Sequence, residues 1–273
     1  MKPALPDVGA RVAELLGSFR LPTAASEMVP RLTAAGHADG LASVLDVLEA
    51  EAADRKQRRI ERLRRASQLP PGKTFDTLDS TRLPKALVQR LAELSRGDFL
   101  ERAENVLAFG LPGVGKSHAA CAIGHALVNA GHPVLFTPAY QLVQELLAAK
   151  RDLELPRALR KLDVFELLIL DDIGYVQQSV EEVEVLFTLL AERYERRSLL
   201  ITSNLVFSEW GRIFKDPMTT AAAIDRLVHH SSILEFKVDS FRTETAKKNA
   251  SANTGGAPAR SNNDRASAKS TTA

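Results

Sequence analysis

The stretch Asn105-Val-Leu-Ala-Phe109-Gly110-Leu-Pro112-Gly113-Val114-Gly115-Lys116-Ser117-His118 decides the fold. Its centre fits G-x-x-x-x-G-K-[ST], with four residues between the outer glycines. An apolar run of strand length, 105–109, leads in, and a helical segment, 118–130, leads out. Glycines let backbone N–H groups close around phosphates, and the start of a helix adds a favourable dipole for an anion. Lys116 then offers a point charge to the β- and γ-phosphates of a nucleotide, and Ser117 a hydroxyl to Mg²⁺. The expected cradle is Gly110, Pro112, Gly113, Val114, Gly115, Lys116, Ser117 and His118.

Downstream, Leu167-Leu-Ile-Leu-Asp171-Asp172 is a buried-strand pattern that delivers two carboxylates at its C-terminal end. Ligands of open α/β sheets bind at that end. Asp171 is placed to hold the metal, and Asp172 to orient an attacking water. Ser198-Leu-Leu-Ile-Thr202-Ser203-Asn204 repeats the pattern, an apolar strand ending in polar residues. Alone, Asn204 reads as a turn or helix cap rather than an amide that holds a water between Asp172 and the γ-phosphate; strand order decides its meaning. With these three, apolar runs at 133–137 and 233–236 make five candidate strands. Helical segments lie between them, among them 180–197 with Val183, Leu186, Phe187, Leu190 and Tyr194 on one stripe. Strand–helix alternation predicts an α/β fold with a parallel sheet covered on both faces.

The flanks differ in kind. Residues 1–72 read as a small all-helical domain that ends at Pro70-Pro71-Gly72, where neither proline can continue a helix. Residues 73–246 carry the alternating pattern, and 247–273 are rich in Ala, Ser, Asn, Gly and Thr, a composition expected to stay disordered. Charge nearly balances, 36 basic residues against 34 acidic, so the total hides local asymmetry. Between Asp54 and Arg65 seven basic residues face two acidic ones. A single cysteine, Cys121, rules out an internal disulfide and a cysteine-rich zinc site, and points to a cytoplasmic setting. The longest stretch without Asp, Glu, Lys or Arg, 117–144, is broken by His, Asn, Gly and Pro, so no membrane span is expected.

The phosphate loop, the paired acids and the Thr-Ser-Asn strand end, in this order, resemble the AAA+ ATPases. The stretches Arg193-Tyr-Glu-Arg-Arg-Ser198, Glu209-Trp210-Gly211, Phe214-Lys-Asp216 and Asp225-Arg226-Leu-Val-His229-His230 narrow this to the IstB family. That family comprises transposition helper ATPases of bacterial insertion sequences, similar to the DnaC helicase loader and the DnaA initiator. Lys73-Thr-Phe-Asp-Thr-Leu-Asp79 resembles the family's lead-in to its ATPase domain, and the likeness covers about residues 21–243. It implies a P-loop three-layer sandwich on a five-stranded parallel sheet, with ATP and Mg²⁺ as ligands. By position, Lys116 and Ser117 match Walker A, Asp171 the Walker B magnesium acid, Asp172 the catalytic acid and Asn204 sensor 1. Arg226 matches an arginine finger that reaches a neighbour's ATP. Asp172 departs from the usual glutamate, one methylene shorter.

The resemblance further implies a homo-oligomer with ATP at subunit interfaces, double-stranded DNA and a cognate transposase as partners, and hydrolysis of ATP to ADP and phosphate. The alternative is a DnaC-like loader of a replicative helicase. A small-molecule kinase on the same loop would need a basic lid segment, and none follows the core. Candidate DNA contacts are Arg58, Arg59 and Arg62 in the basic run and Lys150, Arg151, Arg157, Arg160 and Lys161 in the helical insertion at 139–163. Phosphate contacts by such residues bind without regard to sequence and weaken with salt. The same charges read equally as solvated helix faces. His229-His230 reads as packing or a charge at a helix end rather than a metal site.

Overall fold

Five strands of β-branched and apolar residues form the predicted sheet: β1 (Asn105–Gly110), β2 (Val134–Pro138), β3 (Leu167–Asp171), β4 (Ser198–Ser203) and β5 (Ser231–Phe236). All pair parallel, in the order β2-β3-β4-β1-β5. The computed structural model describes residues 7–175, 179–214 and 216–237, so the expected tail at 247–273 lies outside the described residues.

Helices cover the sheet. Ahead of it come α1 (Val8–Ser18), α2 (Pro22–Ala34) and α3 (Leu41–Ala66), then α4 (Lys85–Leu94) and the short α5 (Asp98–Glu101). The crossovers are α6 (Lys116–Ala130), α7 (Ala139–Arg151) with α8 (Leu155–Leu162), α9 (Val180–Arg193), and α10 (Gly211–Phe214) with α11 (Pro217–Val228). Side chains alternate along each strand, so each strand feeds two cores. Val106, Ala108, Leu167, Ile169 and Leu200 pack with α4 and α6 on one face. Leu107, Phe109, Leu168, Leu170 and Ile201 pack with α7, α9 and α11 on the other. The result is the three-layer sandwich that the alternation predicts.

The N-terminal helices meet this body through α3. Leu63 packs against the α4/α6 core and Leu69 is buried within it. Arg59 donates to Gly131 O at 3.2 Å, Arg64 to Asn129 Oδ1 at 3.0 Å, and Phe136 N donates to Ser67 O at 2.8 Å.

One helix is shorter than its periodicity suggested. α9 begins with a capping box between Ser179 and Glu182 but ends at Arg193, not 197. Arg193 is 1% exposed and turns its guanidinium inward, donating to Leu162 O (3.1 Å), Phe165 O (3.0 Å) and Ser198 O (3.0 Å). Glu195 then takes φ +54°, which no right-handed helix continues.

Candidate functional site

Gly110 ends β1 at φ +155°, and a Cβ there would lie 2.7 Å from Phe236 O. Only glycine fits, so the loop can leave β1 hard against β5 and turn back over α6. Val114 anchors the loop, fully buried among Val106, Ala108 and Phe236. Lys116 opens α6, is 9% exposed, and folds back over the loop, donating to Gly110 O (2.7 Å) and Leu111 O (2.9 Å).

The lead-in segment lies over the start of α6. His118 Nε2 is 3.0 Å from Thr77 Oγ1 and 3.0 Å from Thr74 O. Lys73, Thr77, Asp79, Lys116, Ser117 and His118 together line a cavity of about 300 Å³. Thr77 was not singled out in the sequence, and its neighbour across this cavity is 41 residues away, so no local pattern marks it.

Strand order supplies the rest. β4 lies between β1 and β3, with Phe109 beside Ser203 and Leu170 beside Ile201. The Thr202–Asn204 end therefore stands between the phosphate loop and the paired acids. Thr202, 1% exposed, donates to Asp171 Oδ1 at 2.7 Å and accepts from Asp172 N at 2.8 Å. Asp172 has φ +62°, a left-handed backbone that aspartate adopts more readily than glutamate. That preference accounts for the shorter acid at this place. Asn204 Oδ1 is buried with no hydrogen-bond partner among the described residues. It presses on Gly174, where a Cβ would lie 2.1 Å from it, so a larger residue at 174 would push the Asn204 side chain aside. Thr202 and Gly174 are site-building residues that the sequence reading missed. Their signal was only their place, one at a strand end and one two residues past the acids.

The chain thus brings together the phosphate loop, Asp171, Asp172 and Asn204. Arg226 instead faces α9 of its own chain, its guanidinium carbon 4.5 Å above the Phe187 ring. No acid among the described residues lies within ion-pair distance of it, and its Nη1 is buried without a partner.

The candidate DNA residues are exposed, except the half-buried Lys150, and partly engaged. Arg58 pairs with Glu51 (3.4 Å) and Asp54 (3.7 Å), Lys150 with Glu184 (2.5 Å) and Arg157 with Glu154 (3.4 Å). Arg58, Arg59 and Arg62 share one face of α3 with Arg55 and Arg65. Arg151, Arg160 and Lys161 are exposed. Cys121 is fully buried in the core, and burial pushes its thiol up to about 12.

The pattern of the IstB-like ATP binding protein family matches residues 15–250. The chain belongs to this family. An insertion-sequence ATP-binding protein of Sinorhizobium fredii is 44% identical over 87% of this chain and 80% of its own. An IS21 insertion-sequence ATP-binding protein of Pseudomonas aeruginosa is 42% identical over 74% of this chain and 76% of its own. Among solved structures, DnaI superposes with a TM-score of 0.52 at 19% identity, covering 62% of this chain and 95% of its own. DnaA from Aquifex aeolicus, bound to AMPPCP, superposes at 0.53 with 16% identity, over 68% and 57% of the two chains. These likenesses establish the AAA+ fold of this IstB-like chain. The family is one of ATP-binding proteins, and both relatives bear the names of insertion-sequence ATP-binding proteins. No helix among the described residues is long and apolar enough to cross a membrane.

The residues suit magnesium–ATP. The loop forms a cradle at Gly110 that a side chain would fill, the Lys116 ammonium sits on its rim, and a buried amide oxygen beside it lacks a hydrogen-bond partner among the described residues. Ser117 and Asp171 supply the hard oxygen donors that Mg²⁺ prefers.

Proposed function

We propose that this chain hydrolyses ATP at the interface between two copies of itself and, in that assembled form, binds duplex DNA as the helper of an insertion-sequence transposase. The observation that carries the reading is the convergence of the Gly110–Ser117 loop, the Asp171-Asp172 pair and Asn204 at adjoining ends of β1, β3 and β4. The insertion-sequence relatives support the biological setting.

In this reading the loop's backbone N–H groups hold the phosphates, and Lys116 exchanges two carbonyl oxygens for the β- and γ-phosphate oxygens. Ser117 and Asp171 hold Mg²⁺, which, when bound, neutralises charge developing on the phosphate oxygens. Thr202 fixes Asp171 and the Asp172 backbone at once. The Asp172 carboxylate orients a water and takes its proton as the water oxygen bonds to the γ-phosphorus and the bond to ADP breaks. Asn204 holds that water between acid and phosphate. Arg226 of the adjoining copy supplies the positive charge that phosphoryl transfer draws on in trans. The exposed arginines of α3 and of the α7–α8 insertion contact DNA phosphates.

Mixing tests the shared site. Lys116→Ala and Arg226→Ala proteins should each be inactive, and their mixture should release phosphate faster than the weighted sum of the two, because some interfaces pair an intact loop with an intact finger. A mixture that never exceeds that sum defeats the shared site. Duplex DNA should raise phosphate release, and more weakly as salt rises. Preference for single strands with capture of a replicative helicase would favour the loader reading.

A further inference from the structure

Two of the stretches that carry the family resemblance, 193–198 and 225–230, take little part in the site above. The fold brings them together. α9 ends, the chain turns through the left-handed Glu195, and the carboxylate reaches the C-terminal end of α11. There His229 donates its backbone N–H to Asp225 O at 3.0 Å, and the His230 carbonyl accepts from Asn105 N at 2.8 Å. Both histidine backbones are therefore fixed, one by the last helical turn and one by the start of β1.

Their side chains converge on one carboxylate. His229 Nδ1 lies 3.9 Å from Glu195 Oε1, and His230 Nε2 lies 4.0 Å from the same oxygen. The three donor atoms fall within 4.8 Å of one another, and no other group of three such side chains does so among the described residues. The two rings meet edge to face, 4.2 Å between centroids. All three side chains are about half exposed, open to an ion from solvent.

We propose that Glu195, His229 and His230 bind a first-row transition-metal ion of the zinc class. Three donors at zinc's bond length of about 2.0–2.1 Å stand about 3.3 Å apart in a tetrahedron. The two gaps to the carboxylate close by about 0.6–0.7 Å and the gap between the imidazole nitrogens by at most about 1.5 Å, within the rotamer freedom of exposed side chains. Two imidazoles and one carboxylate suit Zn²⁺, Cu²⁺ or Ni²⁺ and discriminate against Mg²⁺ and Ca²⁺, which take oxygen donors. Water completes the fourth position. The Tyr194 hydroxyl, 3.1 Å from His229 Nδ1, gives up that contact when the nitrogen takes the metal. The ion ties the end of α11 to the turn that opens β4. Arg226 lies one helical turn before His229, so occupancy would steady the helix that carries the proposed finger. That consequence rests on the proposed function; metal binding itself does not.

The test uses the full chain, purified without a histidine tag and stripped with a chelator. Zn²⁺ is titrated in competition with a chromogenic chelator, and Co²⁺ by its visible spectrum. One ion per chain should bind, with the spectrum of a nitrogen-ligated tetrahedral site. Glu195→Gln and His230→Ala should each weaken binding by about tenfold or more. His37→Ala, a distant exposed histidine, should leave it unchanged. Lys116→Ala should also keep full metal binding, which separates failure of this site from failure of the nucleotide site. Because the ligands are exposed, circular dichroism should show every variant folded. Absence of stoichiometric binding overturns the proposal, as does equal affinity in Glu195→Gln, His230→Ala and the native chain.

Discussion

Replacing Thr202 by valine keeps the shape and β-branching of a buried strand residue and removes one oxygen. That oxygen serves two partners, donating to Asp171 Oδ1 at 2.7 Å and accepting from Asp172 N at 2.8 Å. A hydrogen bond to an ionised group is worth about 1.5–3 kcal/mol and a neutral one about 1 kcal/mol. Both aspartates are only half-buried, so water restores part of the loss, and the net destabilisation should be about 2 kcal/mol. For a domain of this size that corresponds to a Tm lowered by about 4–8 °C.

Catalysis should suffer more selectively. The left-handed backbone at Asp172 costs on the order of 1 kcal/mol, and the bond from its N–H to Thr202 helps offset it. Without that bond the backbone relaxes and the carboxylate drifts from its water. A tenfold fall in kcat, about 1.4 kcal/mol, is the minimum expected. KM for ATP should hardly move, because the phosphate loop is untouched. Thr202→Ser keeps the hydroxyl and should retain most of the activity. Steady-state phosphate release with scanning calorimetry on both variants reads all four quantities. If valine and serine behave alike, or if valine leaves kcat near native, the shared hydroxyl does not position the acids.

Arg193 holds the carbonyls of Leu162, Phe165 and Ser198, and burial lowers its guanidinium to about 10. Lysine cannot fork to three oxygens, so Arg193→Lys should cost about 3 kcal/mol, seen as a lower urea midpoint with an unchanged slope. Cys121 gives a pH signature. Its thiol is pushed up to about 12 in the native chain, so the unfolded chain releases a proton first. The thiol's contribution is therefore intact below about pH 8.5 and is lost as pH rises toward 12, at about 1.4 kcal/mol per unit. Comparing native with Cys121→Ala cancels other groups, and their stability difference should shift by about 2 kcal/mol between pH 8 and 10 against the native chain.

Much of this architecture was legible because its signals are local. The phosphate loop is contiguous, and β1 to β4 each carry an uninterrupted apolar run, as expected of a parallel sheet buried on both faces, whereas the edge strand β5 alternates. The two acids likewise share one strand end. What stayed hidden depends on strand order. Thr202 looks like any polar residue after an apolar strand until β4 is known to lie beside β3. Gly174 carries no mark until Asn204 is seen to press on it. The end of α9 was misjudged for a related reason. Helical periodicity runs on through Tyr194, but a buried arginine that takes carbonyls from three other segments stops the helix where tertiary contacts dictate. The histidine pair had no pair of carboxylates near it in sequence, and the fold brings Glu195 to it from another turn.

Both cations that the proposed reaction draws on are held by bonds that are easily exchanged. The Lys116 ammonium rests on two neutral carbonyls of its own loop, and phosphate oxygens, being charged, bind it more strongly. Nucleotide phosphates therefore replace these two carbonyls with stronger partners. The Arg226 guanidinium rests on the Phe187 ring with one nitrogen buried and unpartnered. A cation–π contact is worth about 0.5–2 kcal/mol, while a charge-assisted bond to phosphate also satisfies the orphaned N–H. Arg226 is locked into no ion pair among the described residues that would have to break first. In the proposed reaction a lone chain can fill the first position by binding nucleotide, while its own Arg226 on α11 stays over the Phe187 ring of α9. In that reaction only a second copy supplies Arg226 with phosphate, which makes assembly rather than nucleotide binding the step that completes the charge.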